Sequence, residues 1–150
     1  MIPHTVRRVE PTDLNAVVAL CAEHAEFERA SFDSSGKLER LNEAIFGNEQ
    51  SLTAWLAVVD RQPVGYATAT MDFSTWNAAP FLYMDCLFVR PTHRNGGIGL
   101  ALVKTVCRFA RERGVSEIQW QTPAWNTDAC RFYRRIGGTD LPKVRFNMPT

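Results

Sequence analysis

The sequence predicts an α+β fold in three layers, a mixed and mostly antiparallel sheet flanked by helices. Three observations carry this expectation. Strand-like runs come first in pairs separated by short turns, which is hairpin order. A strand, a long amphipathic helix and another strand then follow, an order that requires a crossover onto the same sheet. No internal repeat, low-complexity tract or linker interrupts the 150 residues, so a single domain over 1–150 with its own core is expected.

Thr5 to Glu10 alternates weakly and reads as a first strand. Pro11-Thr12-Asp13 opens a helix with Thr12 as the expected cap, and Leu14, Val17, Val18, Cys21 and Ala25 follow helical spacing. Glu23, His24, Glu26 and Glu28 decorate its end and read mainly as a solvated face. Ser31 to Gly36 is a loop, and Lys37 to Phe46 is a short helix closed by Gly47. Thr53–Val59 and Val64–Phe73 form a hairpin about the turn Asp60–Pro63. The turn Trp76–Pro80 leads into the central strand, Phe81–Val89. The long helix spans about Gly97 to Arg113 and ends at Gly114. A strand over Glu117–Thr122 follows, then a helix from Asn126 or Thr127 to Ile136 closed by Gly137-Gly138, then a last strand over Val144–Met148.

Bulk composition excludes several classes. Seventeen Lys and Arg against sixteen Asp and Glu leave a net charge of +1, which argues against a nucleic-acid or polybasic membrane partner. No apolar run approaches the roughly 20 residues that span a bilayer, and Met1-Ile2-Pro3-His4 does not open a signal peptide. Cys21, Cys86, Cys107 and Cys130 are scattered without a C-x-x-C pair, so reduced thiols and a cytoplasmic setting are expected. His4, His24 and His93 show no partner pattern, no cluster has metal-ligand spacing, and no metal is expected.

The chemistry concentrates in Leu82–Leu100, LYMDCLFVRPTHRNGGIGL. Pro91 ends the apolar strand because it lacks an N–H. Gly96, Gly97 and Gly99 then open the long helix, where the first backbone N–H groups have no partner within the helix and suit an anion. Arg94 adds a positive charge at that mouth. The reading is a phosphate or pyrophosphate cradle. It is not a P-loop, because Gly99-Leu100-Ala101 stands where Gly-Lys-Ser/Thr is needed. It is not a dinucleotide fingerprint, because Leu102 occupies a position that needs a small residue. What remains is R-x-x-G-x-G, Arg94-Asn95-Gly96-Gly97-Ile98-Gly99.

This pattern between a strand and a helix resembles the pyrophosphate loop of the GCN5-related N-acetyltransferases, the GNAT family. A second block supports the resemblance. Trp125-Asn126 stands at a helix entrance and Phe132-Tyr133-x-x-x-Gly137 at its end, and Asn126 and Tyr133 are two turns apart on one face. The chain is also similar to the spermidine/spermine (diamine) branch, with Phe27-Glu28 at the end of the first helix and Tyr83-Met84-Asp85-Cys86-Leu87-Phe88-Val89 before the loop. Asp85 stands where that branch has Glu, Cys86 and Thr75 where it has acidic residues, and its acidic C-terminal pair is missing.

The resemblance implies a GNAT-like sheet, acetyl-CoA as co-substrate and a homodimer. It implies cofactor contacts from Leu87, Phe88, Val89, Arg94, Asn95, Gly96, Gly97, Ile98, Gly99, Leu100, Asn126 and Ala129. A small-molecule primary amine (a diamine, lysine-like or other amino compound) would attack the thioester directly in a ternary complex, while backbone N–H groups of Leu87–Val89 polarise the thioester oxygen. An alkylammonium of pKa near 10.4 is about a thousandth neutral at pH 7.4, so deprotonation must supply roughly 4 kcal/mol. Asp85 is the candidate to hold the ammonium and accept its proton, but an ordinary aspartate is a poor base unless burial raises it. Tyr133, as a phenol near 10, suits protonation of a thiolate near 8.5. Phe27, Glu28, Asp85 and Trp125 are the acceptor-pocket candidates, an aromatic beside a carboxylate suiting an ammonium.

Loss of carboxylates along the groove argues against a long polycation. Three alternatives stay open: a protein or peptide N-acetyltransferase, a non-catalytic acetyl-CoA sensor, and an amino-acid or antibiotic acetyltransferase. The bulky turn Trp76–Pro80 and Phe27 predict a site too narrow for a peptide. An amino-acid acceptor calls for an arginine facing its carboxylate, and Arg145 is available.

Overall fold

A computed structural model describes residues 1–150. In chain order the elements are β1 (Thr5–Arg8), α1 (Leu14–Phe27), α2 (Lys37–Phe46), β2 (Thr53–Val59), β3 (Gln62–Ser74), β4 (Ala79–Val89), α3 (Ile98–Glu112), β5 (Ile118–Gln119) and α4 (Thr127–Arg135). Single 3₁₀ turns occupy Pro11–Asp13 and Pro91–His93. The strands lie in the order β1-β2-β3-β4-β5, with β1 to β4 antiparallel and β5 parallel to β4 after the crossover through α3. No helix is long and apolar enough to cross a membrane.

Period-2 alternation gives the sheet two apolar faces. On β2, Trp55 and Ala57 pack toward α3, whereas Ala54 and Leu56 pack toward α1 and α2. Ile98, Leu102, Val103 and Val106 seat α3 on one face, and Leu14, Val17 and Leu20 seat α1 on the other. Burying each such side chain contributes roughly 1.5–3 kcal/mol before chain entropy is counted. Ile98 is 1% exposed and pins the first turn of α3 to the sheet.

The entrance of α1 corrects the expected cap. Thr12 makes no capping bond. The Asp13 carboxylate accepts from the Glu10 N–H at 2.8 Å and from two Arg7 nitrogens at 2.6 and 2.9 Å. A carboxylate reaches back across a 3₁₀ turn, where a hydroxyl is too short. Arg7 thereby holds the Asp13 carboxyl below the usual carboxylate range. Glu23 and Glu28 are likewise not simply solvated: Glu23 takes three contacts of 2.7 to 3.2 Å from Arg90 at the end of β4.

The C-terminal quarter departs from the sequence pattern. β5 is two residues long instead of Glu117–Thr122, because β4 and β5 touch only at Leu82↔Ile118 and Tyr83↔Gln119 before they part. Val144–Met148 forms no strand, and Phe146 is 89% exposed. Alternation alone does not make a strand when no sheet edge lies alongside to complete its hydrogen bonds.

Candidate active site

The register of β4 against β3 contains one irregularity. Met84 pairs with Ala69 and Cys86 with Thr68, so Asp85 is an extra residue, a β-bulge. The bulge reverses which side chains face which core. Before it, Leu82 and Met84 face α3; after it, Leu87 and Val89 face α3 while Cys86 and Phe88 face α1. Backbone groups reverse with them. The Leu82 N–H bonds to Glu117 beside β5, whereas the Arg90 N–H bonds to Val64 on β3. Alternation then turns the N–H groups of Leu87 and Val89 to the edge that β5 has left, and the Phe88 N–H to β3. The result is a strand edge with free donors, ending at the mouth of α3.

At that mouth the backbone N–H groups of Asn95, Gly96, Gly97, Ile98, Gly99 and Leu100 have no acceptor within the chain; the Ala101 N–H is the first to find one, on Gly97. Gly97 caps the helix at φ 90°, where an L side chain is strained. Gly96 has a different cause: a Cβ there would lie 2.5 Å from the Ile2 side chain, which packs on the loop while the Ile2 N–H bonds to the Gly96 carbonyl. Ile98 is buried, so it reaches this site through its backbone alone.

Arg94 is a brace as well as a charge. Its Nε donates to the Val89 carbonyl at 2.8 Å, and its guanidinium lies 4.3 Å from the Phe27 ring centroid. Burial lowers its pKa from the ordinary value, with Asp128 opposing. The terminal guanidinium nitrogens keep no partner in the chain and remain beside the α3 mouth.

A cavity of about 1490 Å³ runs from this mouth along the β4 edge to the end of α1. Phe27, Glu28, Asp85, Leu87, Phe88, Val89, Asn126, Ala129 and Tyr133 all line it. Trp125 does not. It stands behind Phe27, ring centroids 6.3 Å apart, with the Arg29 guanidinium 4.1 Å from its ring. Trp76 is 95% exposed at the hairpin tip and also lies off the cavity wall, so the expected narrowing by the Trp76–Pro80 turn does not occur.

Asn126 caps α4 through Oδ1, which accepts from the Ala129 N–H at 3.2 Å. Its side-chain amide N–H groups remain available to the cavity. Tyr133 packs on Trp120 and Phe132, and burial pushes its phenol up to about 12, with Glu28, Cys130 and Cys86 adding. Asp85 projects exposed from the bulge.

Two residues to which the sequence pattern assigned no role, His24 and Lys143, join the site. His24 lies between Glu28, with Nε2 3.2 Å from Oε1, and Tyr66, with Nδ1 2.8 Å from the phenol oxygen. The i,i+4 spacing of His24 and Glu28 on one helix was the available signal. Lys143 lines the same cavity, as does Arg145, which the sequence offered for an acceptor carboxylate without placing it.

An opened strand edge feeding a helix mouth suits an elongated ligand with phosphate at one end. The family model described as Acetyltransferase (GNAT) family matches residues 17–138, and the chain belongs to that family. It is 26% identical over 135 residues to a thialysine N-epsilon-acetyltransferase of Caenorhabditis elegans, covering 90% of this chain and 82% of the relative. It is 27% identical to the Bos taurus protein of that name, covering 93% and 86%. Among solved structures, the aminoglycoside acetyltransferase AAC(6')-Iy in complex with a CoA bisubstrate analogue superposes with TM-score 0.83 at 20% identity, covering 99% of each chain.

Proposed function

We propose that the chain transfers the acetyl group of acetyl-CoA to a primary amine of a small molecule by direct attack in a ternary complex, without a metal. The observation that carries this reading is the run of unpartnered N–H groups from Asn95 to Leu100 joined to the free edge of β4. These residues fit the co-substrate: the helix mouth suits the diphosphate, and the Leu87 and Val89 N–H groups suit the amides of the arm. Bound acetyl-CoA supplies the thioester carbon that the amine attacks.

The residues of the chain then divide the work. Leu87–Val89 orient the arm, Asn126 and Ala129 flank it, and Asp85 and Glu28 hold the acceptor ammonium beside Phe27. Tyr133 faces the leaving sulfur. A phenol near 12 transferring its proton outright to a thiolate near 8.5 runs uphill by about 5 kcal/mol. Its role is therefore a hydrogen bond to the developing thiolate, protonated throughout the neutral range.

An amino-acid-like acceptor is favoured over a polyamine. Arg145 and Asp85 both act on the Tyr83 phenol, in opposite directions, so cation and carboxylate face one region of the cavity. Neither Arg145 nor Lys143 has an ion-pair partner in the chain. The relatives named for thialysine support the same class. A homodimer and a cytoplasmic setting belong to the same proposal. Exposed Val144, Phe146 and Met148 support the first, and four free thiols support the second.

The test is calorimetry with CoA followed by a thiol-release screen against thialysine, lysine, ornithine, diamines and aminoglycosides. Absence of CoA binding, or of release with every amine, overturns the reading.

A further inference from the structure

We propose that His24 is the group that takes the proton from the acceptor amine, its ring held by Glu28 and Tyr66. The inference rests on the acetyltransferase reading above and assigns a step that reading leaves without a suitable base.

The geometry fixes the imidazole in every direction. Nδ1 lies 2.8 Å from the Tyr66 oxygen and Nε2 3.2 Å from Glu28 Oε1. The ring plane stacks on Phe88 at 5.2 Å and 20°, and the Tyr66 ring stands at 74° to it with centroids 5.8 Å apart. The side chain is 14% exposed and lines the cavity that holds Glu28, Asp85 and Tyr133.

Each neighbour has a distinct part. Tyr66 is buried, which drives its phenol far above its ordinary range, so it stays neutral and serves as a fixed partner. In the free protein Nε2–H donates to the Glu28 carboxylate and the Tyr66 hydroxyl donates to Nδ1. Once the acceptor ammonium occupies Glu28, the ring takes its other tautomer, with Nδ1–H donated to the Tyr66 oxygen and the Nε2 lone pair turned to the ammonium. Beyond Tyr66 lie the thiols of Cys21 on α1 and Cys86 on β4, both raised by burial, Cys86 to about 12. The charged groups that line the cavity with the ring are Glu28 at the end of α1, Lys37 and Arg40 on α2, Asp85 on β4, Arg94 beyond it, Asp128, Arg131 and Arg135 on α4, and Lys143 and Arg145 on the tail.

The step balances without another reagent. Glu28 and Asp85 draw the ammonium in. One N–H bond of the ammonium breaks, directly or through a water, and the proton forms a new bond to Nε2. The freed lone pair attacks the thioester carbon to give a tetrahedral adduct, whose nitrogen loses its second proton to the departing sulfur or to solvent as the C–S bond breaks and the sulfur leaves with that electron pair. The imidazolium is stabilised by the Glu28 carboxylate, and its proton passes to solvent or to the departing thiolate. Imidazole is by its chemistry the general base suited to neutral pH, and of the groups on the cavity wall only His24 offers one that is held on both ring nitrogens. Asp85, exposed on the bulge, is left as an anchor.

The experiment compares wild type, His24→Gln and Tyr66→Phe in the full chain. The acceptor is the best of thialysine, lysine, ornithine and 1,3-diaminopropane, tested beside its analogue fluorinated next to the reacting amine, which is neutral at assay pH. His24→Gln is expected to lower kcat about 100-fold with the basic acceptor, abolish the acid limb of kcat/KM, and cost threefold or less with the fluorinated one. Tyr66→Phe is expected to lower kcat while keeping the limb. Equal losses with both acceptors, or an unchanged limb in His24→Gln, overturn the proposal. Unchanged CoA binding by calorimetry shows that each variant is folded. A wild type that releases no thiol overturns the acetyltransferase reading instead, a separate and recognisable outcome.

Discussion

The two halves of the cavity are built from different materials. The α3 mouth and β4 edge present backbone: consecutive N–H groups that follow from a helix beginning at Gly97 and a strand losing its neighbour at Tyr83. The acceptor half presents side chains from α1, β3, β4 and the tail, namely His24, Glu28, Tyr66, Asp85 and Arg145. Backbone donors cannot be substituted away, so apart from Arg94 and the glycines of the mouth the first half tolerates sequence change. The second half changes with every substitution. One fold can in this way keep a single co-substrate while its acceptor varies.

Four measurements sharpen or break that contrast. The largest effect belongs to Tyr133→Phe, which removes one donor aimed at developing charge. Turnover should fall on the order of 100-fold while CoA affinity by calorimetry moves less than twofold; wild-type turnover would remove the phenol from the reaction. Gly97→Val comes next. Forcing a β-branched residue to φ 90° costs at least 1–2 kcal/mol and misaligns the N–H groups, so Kd for CoA should rise tenfold or more. An unchanged Kd would mean that the mouth does not grip the co-substrate.

Arg145→Ala tests the acceptor half. KM for thialysine should rise about fivefold to tenfold and KM for 1,3-diaminopropane should not, because only the former carries a carboxylate. Parallel changes would exclude a carboxylate contact. The smallest effect lies outside the site. Arg7 depresses the folded-state pKa of Asp13, so that pair stabilises at neutral pH and the contribution is lost as pH falls through the folded value. Arg7 is exposed to 41%, which limits the contribution to about 1 kcal/mol. Arg7→Met should lower Tm by a few degrees at pH 7 and by progressively less as the pH falls through the folded-state value of Asp13.

The same contrast explains what was legible in the sequence. Strand and helix periodicity located β2 to β4, α1 to α4 and the crossover, because burial on two faces imposes regular spacing. Gly96-Gly97 and Pro91 marked the mouth, since only those residues meet its backbone constraints. The bulge was invisible: it is a relation between Asp85 and the partner strand, and no local pattern records it. His24 was passed over because its second partner, Tyr66, is 42 residues away. Val144–Met148 misled in the opposite sense, its alternation being clear but its partner edge missing. Trp76 misled because a bulky residue at a hairpin tip points into solvent as readily as into a site.

Asp85 also has a consequence for divergence. A single inserted position lets one strand serve two opposed packing surfaces, and that position itself belongs to neither. Replacing it leaves both cores undisturbed, so the carboxylate is free to change identity under selection for a new acceptor at almost no structural penalty. Deleting it would do the reverse. Cys86 through Val89 would each rotate to the wrong side, and the groove and the packing would fail together.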